Sequence, residues 1–381
     1  MKNILLKFFL IVCLCAVALK YSKNEKYYHP LYKSLSNENF GPTDSEKILY
    51  INAGIDYIPY DVLELFKKLT RVTVVLDVFD SNEILEAKLL AGNVKYDLVF
   101  PSAWPYFSRQ LSAEIYQKID KSKINFDRFD KSIMQKLSAY DKENNFALPY
   151  IFGISGIGIN ENIIDKIEGI SKDSLAIIFD PAQAEKISKY RISISESAGE
   201  LFPLLLSYLG LDPLSENEED YLKAAEHLKK VRKYISKFTS YGFEDLASEN
   251  ACVAVAASSD VNRINLNNKK SYVKFIFPKE GGAIWVEVVA IPKGATHLNN
   301  AYAFLNFLFH PEVIAYITNK TSFANAVPES NKFIDKNILD NNNIYPNEEI
   351  RKKCFIEKPM PSNIEILRTR LLTKIKSMDG D

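Results

Sequence analysis

Short β-branched runs and helix-spaced apolar residues take turns along this chain, and that alternation limits its fold more than any other feature. Ile48 to Ile51 reads as a strand, and Ile58, Val62, Leu65, Phe66 and Leu69 follow at helical spacing. Val72 to Phe79 is apolar almost throughout, as expected of a strand buried on both faces. Asp80 and Glu83 suit a capping box for a helix running to Ala91, with Gly92 as its stop. Asp97 to Phe100 is the next strand, ending at Pro101-Ser102. The order β-α-β-α-β defines a parallel sheet with helices on both faces.

A second alternating unit follows Pro149. Ile192 to Ile194, Ala251 to Ala257, Val273 to Phe277 and Trp285 to Ile291 read as strands. Leu201 to Leu209, Tyr221 to Tyr234 and a segment from Asn299 as cap through Phe309 read as helices. Ile364 to Lys376 reads as a basic terminal helix, and Gly153 to Gly158 as a strand near a hinge. A chain of 381 residues accommodates two such units. In open α/β sheets ligands bind outside the carboxyl ends of the strands. The loops to inspect are therefore those around residues 52–57, 101–104, 195–200, 257–260 and 285–287.

Those loops hold Asp56, Glu196, Glu200, Asp260 and Glu287, and with them Tyr57, Trp104 and Trp285. Carboxylates accept charge-assisted hydrogen bonds from an organic ammonium, and ring faces attract the cation and cover its methylenes. The plainer reading makes each acid a helix cap or a solvated loop residue, and Trp285 a core residue. The residues alone thus leave an α/β protein with a possible cation site. Other classes are excluded more firmly. The 48 basic and 48 acidic residues cancel, which leaves no basic excess for nucleic acid and no cluster for an anionic membrane. No phosphate loop, Gly-x-Ser-x-Gly elbow or His-Glu-x-x-His motif is present, so no enzyme class is indicated. Four scattered histidines and few cysteines show no metal-site spacing, and no cofactor is expected.

The amino terminus has the layout of a secretory signal. Lys2 and Lys7 precede an apolar run from Phe8 to Ala18 that is short for a membrane span and ends in a small-x-small site, Ala16 to Ala18. Cleavage after Ala18 and export are expected; the alternative is an uncleaved anchor. Cys13 and Cys15 follow Val12 and Leu14 instead of the small residue that lipidation needs. Residues 19–45 are polar and read as a tether. Cys252 and Cys354 are the cysteines beyond the signal, and whether they pair is left open.

At its ordered motifs the chain resembles the periplasmic polyamine-binding proteins of ABC transporters, most closely the putrescine-binding member. The resemblance runs from about Ile48 to Ser377. It is carried by Asp77-Val-Phe-Asp-Ser-Asn-Glu83, Asp97-Leu-Val-Phe-Pro-Ser-Ala103, Phe146-Ala-Leu-Pro-Tyr150, Tyr208-Leu-Gly210, Pro278-Lys-Glu-Gly281, Phe323-Ala-Asn-Ala326 and Arg368-Thr-Arg370, among others. It implies a two-lobed type II periplasmic-binding-protein fold, α/β, each lobe a mostly parallel sheet flanked by helices, with crossover strands as hinge. Residues 46–150 and 286–327 would form the first lobe, and 151–285 and 328–376 the second. The ligand would be a polyamine, the partners an ABC permease and its ATPase, and the chain a monomer.

Carried over residue by residue, the resemblance assigns ligand contacts to Asp56, Tyr57, Ser102, Trp104, Glu196, Glu200, Asp260, Trp285, Glu287 and Phe323. Two family tryptophans become Gly54 and Ala257, and a family tyrosine becomes Phe323, without its hydroxyl. The exact ligand is therefore open. Either affinity falls, or the freed space admits a longer or bulkier cation. A sensor on the same scaffold and a binder of another organic cation are the alternatives.

Overall fold

A computed structural model of the protein describes residues 29–79, 81–92, 95–268 and 272–378. The expected signal and Asp80, half of the expected capping box, lie outside the described residues. Among the described residues eleven strands run in chain order: β1 (Ile48–Gly54), β2 (Thr73–Phe79), β3 (Leu98–Val99), β4 (Ala147–Asn160), β5 (Ile192–Ile194), β6 (Lys237–Phe238), β7 (Val253–Ala257), β8 (Val273–Ile276), β9 (Ala283–Ala290), β10 (Ala324–Asn325) and β11 (Phe355–Ile356). In the first lobe β1 pairs in parallel with β2 and β3, and β3 meets β9 antiparallel. In the second lobe β5 pairs in parallel with β6 and β7, while β7 and β8 flank β4 antiparallel. The two lobes thus repeat one plan, three parallel strands closed by an antiparallel strand that crosses over.

The 14-residue β4 makes the crossing: it pairs with β9 from Ala147 to Ile154, then with β7 and β8 from Ser155 to Asn160. β9 is the return path. Each lobe has its own apolar centre. Leu49, Ile51, Phe66, Phe304 and Phe307 pack in the first, with the Phe66 and Phe304 rings edge-on at 5.0 Å. Ile177, Phe179, Phe202, Leu205 and Leu228 pack in the second. A third cluster, with Phe152, Ala254, Ile284 and Val286, joins the two through the crossing strands. Asp97 explains one of the motifs. Fully buried at the start of β3, it accepts N–H bonds from Tyr50 (2.9 Å), Thr296 (3.0 Å) and His297 (2.9 Å), and so ties two strands to a distant loop.

Four expectations change. First, residues 19–45 were expected to be a tether, but from His29 onward the segment is packed. Leu35 and Phe40 are buried, the His29 ring leans on Tyr316 at 4.7 Å, and Asn306 donates to the Phe40 carbonyl. Two apolar side chains in a polar stretch suffice to dock it. Second, β2 is not buried on both faces. It is the edge strand, and Val75 and Val78 are 41% and 43% exposed. Third, residues 328–353 stay with the first lobe. The Pro328–Phe333 turn bonds to Asn319, Tyr345 bonds to Asn325, and Arg351 meets Asp130 at 3.3 Å. The chain changes lobes again only at β11, which lies parallel to β9. Fourth, the Leu298–Leu308 helix is preceded by His297 at its cap, and Asn299 sits inside it. Cys252 and Cys354 are both buried free thiols.

Candidate functional site

A cleft of about 1090 Å³ opens between the lobes where the strands end. Of the ten residues expected to contact ligand, eight line it: Tyr57, Ser102, Trp104, Glu200, Asp260, Trp285, Glu287 and Phe323. Two do not. Asp56 sits at the apex of the turn after β1, at φ 60°, and is exposed. That turn closes through the Tyr57 N–H to the Gly54 carbonyl (3.2 Å) and carries Tyr57, not Asp56, into the cleft wall. Glu196 is held at the surface by the Ser240 hydroxyl (3.0 Å) and by Lys376 (3.5 Å), since the Ser362–Lys376 helix ends beside it.

On the first-lobe side the site is a relay of polar groups. Asn82, in the first turn of the Asn82–Ala91 helix, accepts from the Ser102 N–H (3.0 Å) and donates to the Ser102 hydroxyl (2.9 Å). That hydroxyl donates to Glu287 Oε1 at 2.7 Å. Glu287 is only 6% exposed, and burial pushes its carboxyl up to about 7. The Tyr57 phenol also leans on this carboxyl, in a geometry too poor to satisfy it: Oε2 has no well-formed hydrogen-bond partner. Tyr57 in turn is pushed well above its usual range by burial, with the Glu287 and Asp260 charges adding to the effect. Asp260, in the first turn of the Ser258–Asn268 helix, therefore faces the same pocket from the second lobe.

Rings enclose this pocket. Tyr57 meets Phe79 and Phe323 edge-on at 6.3 and 6.1 Å, and Phe323 meets Trp285 at 6.0 Å. Two glycines make room for them. A Cβ on Gly153 would lie 2.2 Å from the Trp285 ring. A Cβ on Gly54 would lie 2.6 Å from the Tyr57 ring. The space freed at Gly54 is therefore filled by Tyr57 itself, which corrects the expectation that this position leaves a wider pocket.

The other end of the cleft belongs to the second lobe. Glu200 sits in the first turn of the Ala198–Tyr208 helix and accepts from the Ser195 hydroxyl at 2.6 Å. Much of its surface opens to the cleft, yet protein encloses it on most sides and raises its carboxyl; Ser195 opposes this and the Glu196 charge adds to it.

Beside Glu200 stands Glu357, one residue past β11, which sequence reasoning missed. Burial and then the Glu200 charge push its carboxyl up to about 8, against the pull of Arg368 and a hydrogen bond from the Trp104 indole. Trp104 stacks on Tyr140 at 6.1 Å, with planes 14° apart, and the Tyr140 hydroxyl donates to the Glu357 carbonyl. A two-residue strand gives no readable periodicity, so the only sequence signal for Glu357 is one acid after Phe355-Ile356. Tyr140 and Asn82 were missed for a similar reason: each acts through a neighbour on another element.

The electrostatic balance of the cleft is negative. Among the described residues its lining holds six carboxyl groups and two guanidiniums, with no lysine. Both guanidiniums are committed: Arg368 to Glu365 through two bonds (2.9 and 2.7 Å), and Arg109 to Glu86 likewise (3.1 and 2.7 Å). Buried carboxyls raised in pKa beside open aromatic faces are suited to an organic cation, whose charge returns them to the ionised form. Among the described residues no group of His, Cys, Asp and Glu is arranged to hold a metal.

A two-lobed fold with an acidic, ring-walled cleft between the lobes is that of a solute-binding protein, and comparison agrees. Residues 95–347 match the family model of bacterial extracellular solute-binding proteins, and the chain belongs to that family. It is 39% identical over 340 residues to the putrescine-binding periplasmic protein SpuD of Pseudomonas aeruginosa, covering 87% of this chain and 92% of that one. It is 37% identical over 344 residues to the putrescine-binding periplasmic protein PotF of Escherichia coli, with the same coverage. Among solved structures, the spermidine/putrescine ABC transporter substrate-binding protein PotD of Streptococcus pneumoniae superposes with a TM-score of 0.76 at 21% identity, over 87% of this chain and 98% of that one. That likeness confirms the two-lobed fold. All three are named as binding proteins, and the first two as proteins of the periplasm.

Proposed function

We propose that this protein captures a polyamine outside the cytoplasm and hands it to the permease and ATPase of an ABC importer, acting as a monomeric, non-enzymatic binder. The observation that carries the reading is the set of cleft carboxyls, Glu200, Glu287 and Glu357, held beside aromatic rings with both lining guanidiniums already engaged. Carboxyls that regain their charge only beside a cation, in a partly dry cleft, favour a solute that brings its own positive charges. Rings on two sides favour one whose charges are joined by methylenes. Tyr57, Ser102, Asp260, Trp285, Glu287 and Phe323 would hold one ammonium and the adjoining chain, and Trp104 and Glu200 the other end. The named substrates of the relatives, putrescine and spermidine, have this chemistry. Export by a signal cleaved after Ala18 would place the protein in the periplasm, where its relatives act.

Both tryptophans of the chain, Trp104 and Trp285, line the cleft, so their fluorescence reports its occupancy directly. Titration with putrescine, cadaverine, spermidine, spermine and agmatine should give a saturable change for at least one of them, and 1,4-butanediol, which lacks charge, should give none. A response to the diol equal to that of the diamines, or to none of the amines, would overturn the reading.

A further inference from the structure

Residues 29–40 lie on the first lobe as a strap, and a histidine stands at each end of the contact. The chain has four histidines, and two of them are here. At the start of the strap His29 is 2% exposed and leans on Tyr316. Its Nδ1 accepts the Leu31 N–H at 3.2 Å, which assigns the ring proton to Nε2. Nε2 has no hydrogen-bond partner, and the Asp61 carboxylate stays 3.9 Å away. Asp61 is already engaged by the Tyr316 hydroxyl (2.5 Å) and the Lys320 ammonium (2.6 Å). A second proton on the His29 ring would point from Nδ1 at the Leu31 N–H, donor against donor. Burial holds this imidazole below its usual range; Asp61 opposes the effect, and Lys320 and Lys68 add to it. At the far end Phe40 packs edge-on against Phe307 at 5.4 Å and against the His310 ring at 6.4 Å. His310 precedes the Pro311–Thr321 helix, which also carries Tyr316 and Lys320, and a helix amino terminus disfavours an imidazolium. His310 Nδ1 is buried with no hydrogen-bond partner. Burial lowers this imidazole too, against Glu38, Glu312 and Glu329 and together with Arg128. Between the two rings Leu35 is buried and the Ser34 hydroxyl donates to Glu312 at 2.7 Å.

We propose that this strap is an acid-released latch, docked on the first lobe while His29 and His310 are neutral and freed when they take up protons. The sign follows from linkage. A histidine lowered by docking binds its proton more readily once released, so docking is complete above the ordinary imidazole value of 6.5 and weakens as pH falls below it. Each proton taken up on release shifts the equilibrium by up to about tenfold per pH unit, and two protons by up to about a hundredfold. Asp61 stays ionised in this window: burial raises its carboxyl, but the bonds from Lys320 and Tyr316 outweigh burial and hold it below its usual range. The latch is independent of what the cleft holds. In acid surroundings it uncovers one face of the first lobe and leaves the crossing strands and the cleft in place.

Hydrogen exchange on the full chain at pH 7.5 and pH 5, with the intrinsic rate divided out, reads the latch through the Tyr32 and Leu35 amides, which donate to the His29 and Leu31 carbonyls. Their protection should fall by at least about tenfold at the lower pH, while the amides of β4 keep theirs. The double variant His29→Phe with His310→Phe keeps both rings and has no proton to gain, so the protection of its strap should not change with pH. His29→Asn with His310→Asn is the second variant, because an asparagine at position 29 can still accept the Leu31 N–H. Equal protection of the wild-type strap at both pH values would overturn the proposal. A fall that persists in either double variant would overturn it too, as would a fall shared by β4, which is acid unfolding and not release. A strap that neither double variant docks at pH 7.5 would also contradict it, since neutral side chains should hold the docked state.

Discussion

Replacing Glu287 by glutamine should have opposite effects on the empty and the occupied protein. The carboxyl is 6% exposed and displaced from an ordinary 4.5 to about 7, mainly by burial. That displacement corresponds to ~3 kcal/mol. The sign follows from proton binding. Between pH 4.5 and 7 the folded protein holds a proton here that the unfolded chain has released, so stability is full below 4.5 and falls as pH rises through this window. Glutamine keeps the size and the bond from Ser102 but has no proton to lose. At pH 8 Glu287→Gln should therefore melt several degrees higher than wild type, and near pH 4.5 the two should melt alike. Polyamine binding should move the other way. Losing one member of a buried charge pair costs about 2–5 kcal/mol, or about 30-fold to several thousand-fold in affinity, at pH 8. At pH 6 the wild-type carboxyl is mostly protonated, and the gap should shrink by about tenfold. Melting curves by calorimetry and titrations at both pH values measure all four quantities. Unchanged melting and unchanged affinity at pH 8 would refute the claim that Glu287 is a buried charge aimed at the ligand.

Asp260→Asn should weaken polyamine binding by about 30-fold to several thousand-fold for the same reason, read by equilibrium titration; unchanged affinity would move the site elsewhere. Gly54→Ala should lower stability by about 1–3 kcal/mol in denaturant unfolding, because its Cβ would fall 2.6 Å from the Tyr57 ring. A neutral result there would mean that the Tyr57 ring does not pack against Gly54. Protein recovered from the periplasmic fraction should begin at Leu19 by mass measurement, and an intact Met1 in the membrane pellet would contradict cleavage.

Much of the fold was legible because it rests on local pattern. β5 spans Ile192–Ile194 as read from the sequence, and the Asn82–Ala91 helix stops at Gly92 as expected. What misled was the environment of a strand. Val72 to Phe79 is apolar enough for a central position, yet β2 lies at the edge, because strand order is decided by crossovers that a local window cannot see. The site divides in the same way. Glu287 and Asp260 were legible as acids at strand and helix ends. Asp56 was misplaced because which of two neighbours a turn carries inward depends on its backbone, here a left-handed φ at Asp56. Glu357 was invisible because its place is fixed by β11 lying against β9, a pairing between residues more than 70 positions apart. The third lobe crossing was hidden by the same pairing, which is why residues 328–353 were assigned to the wrong lobe.

Isothermal titration of the purified protein with the five polyamines at pH 7, in two buffers of different ionisation enthalpy, tests the central claim most directly. The expected result is saturable binding of one polyamine molecule per chain, with heats that differ between buffers by a net release of protons, because a bound ammonium ionises Glu287 and Glu357, whose carboxyls sit at about 7 and about 8 in the empty cleft. Absence of binding by all five, or tight binding with no proton release, would contradict a cleft built on buried carboxyls awaiting a cation.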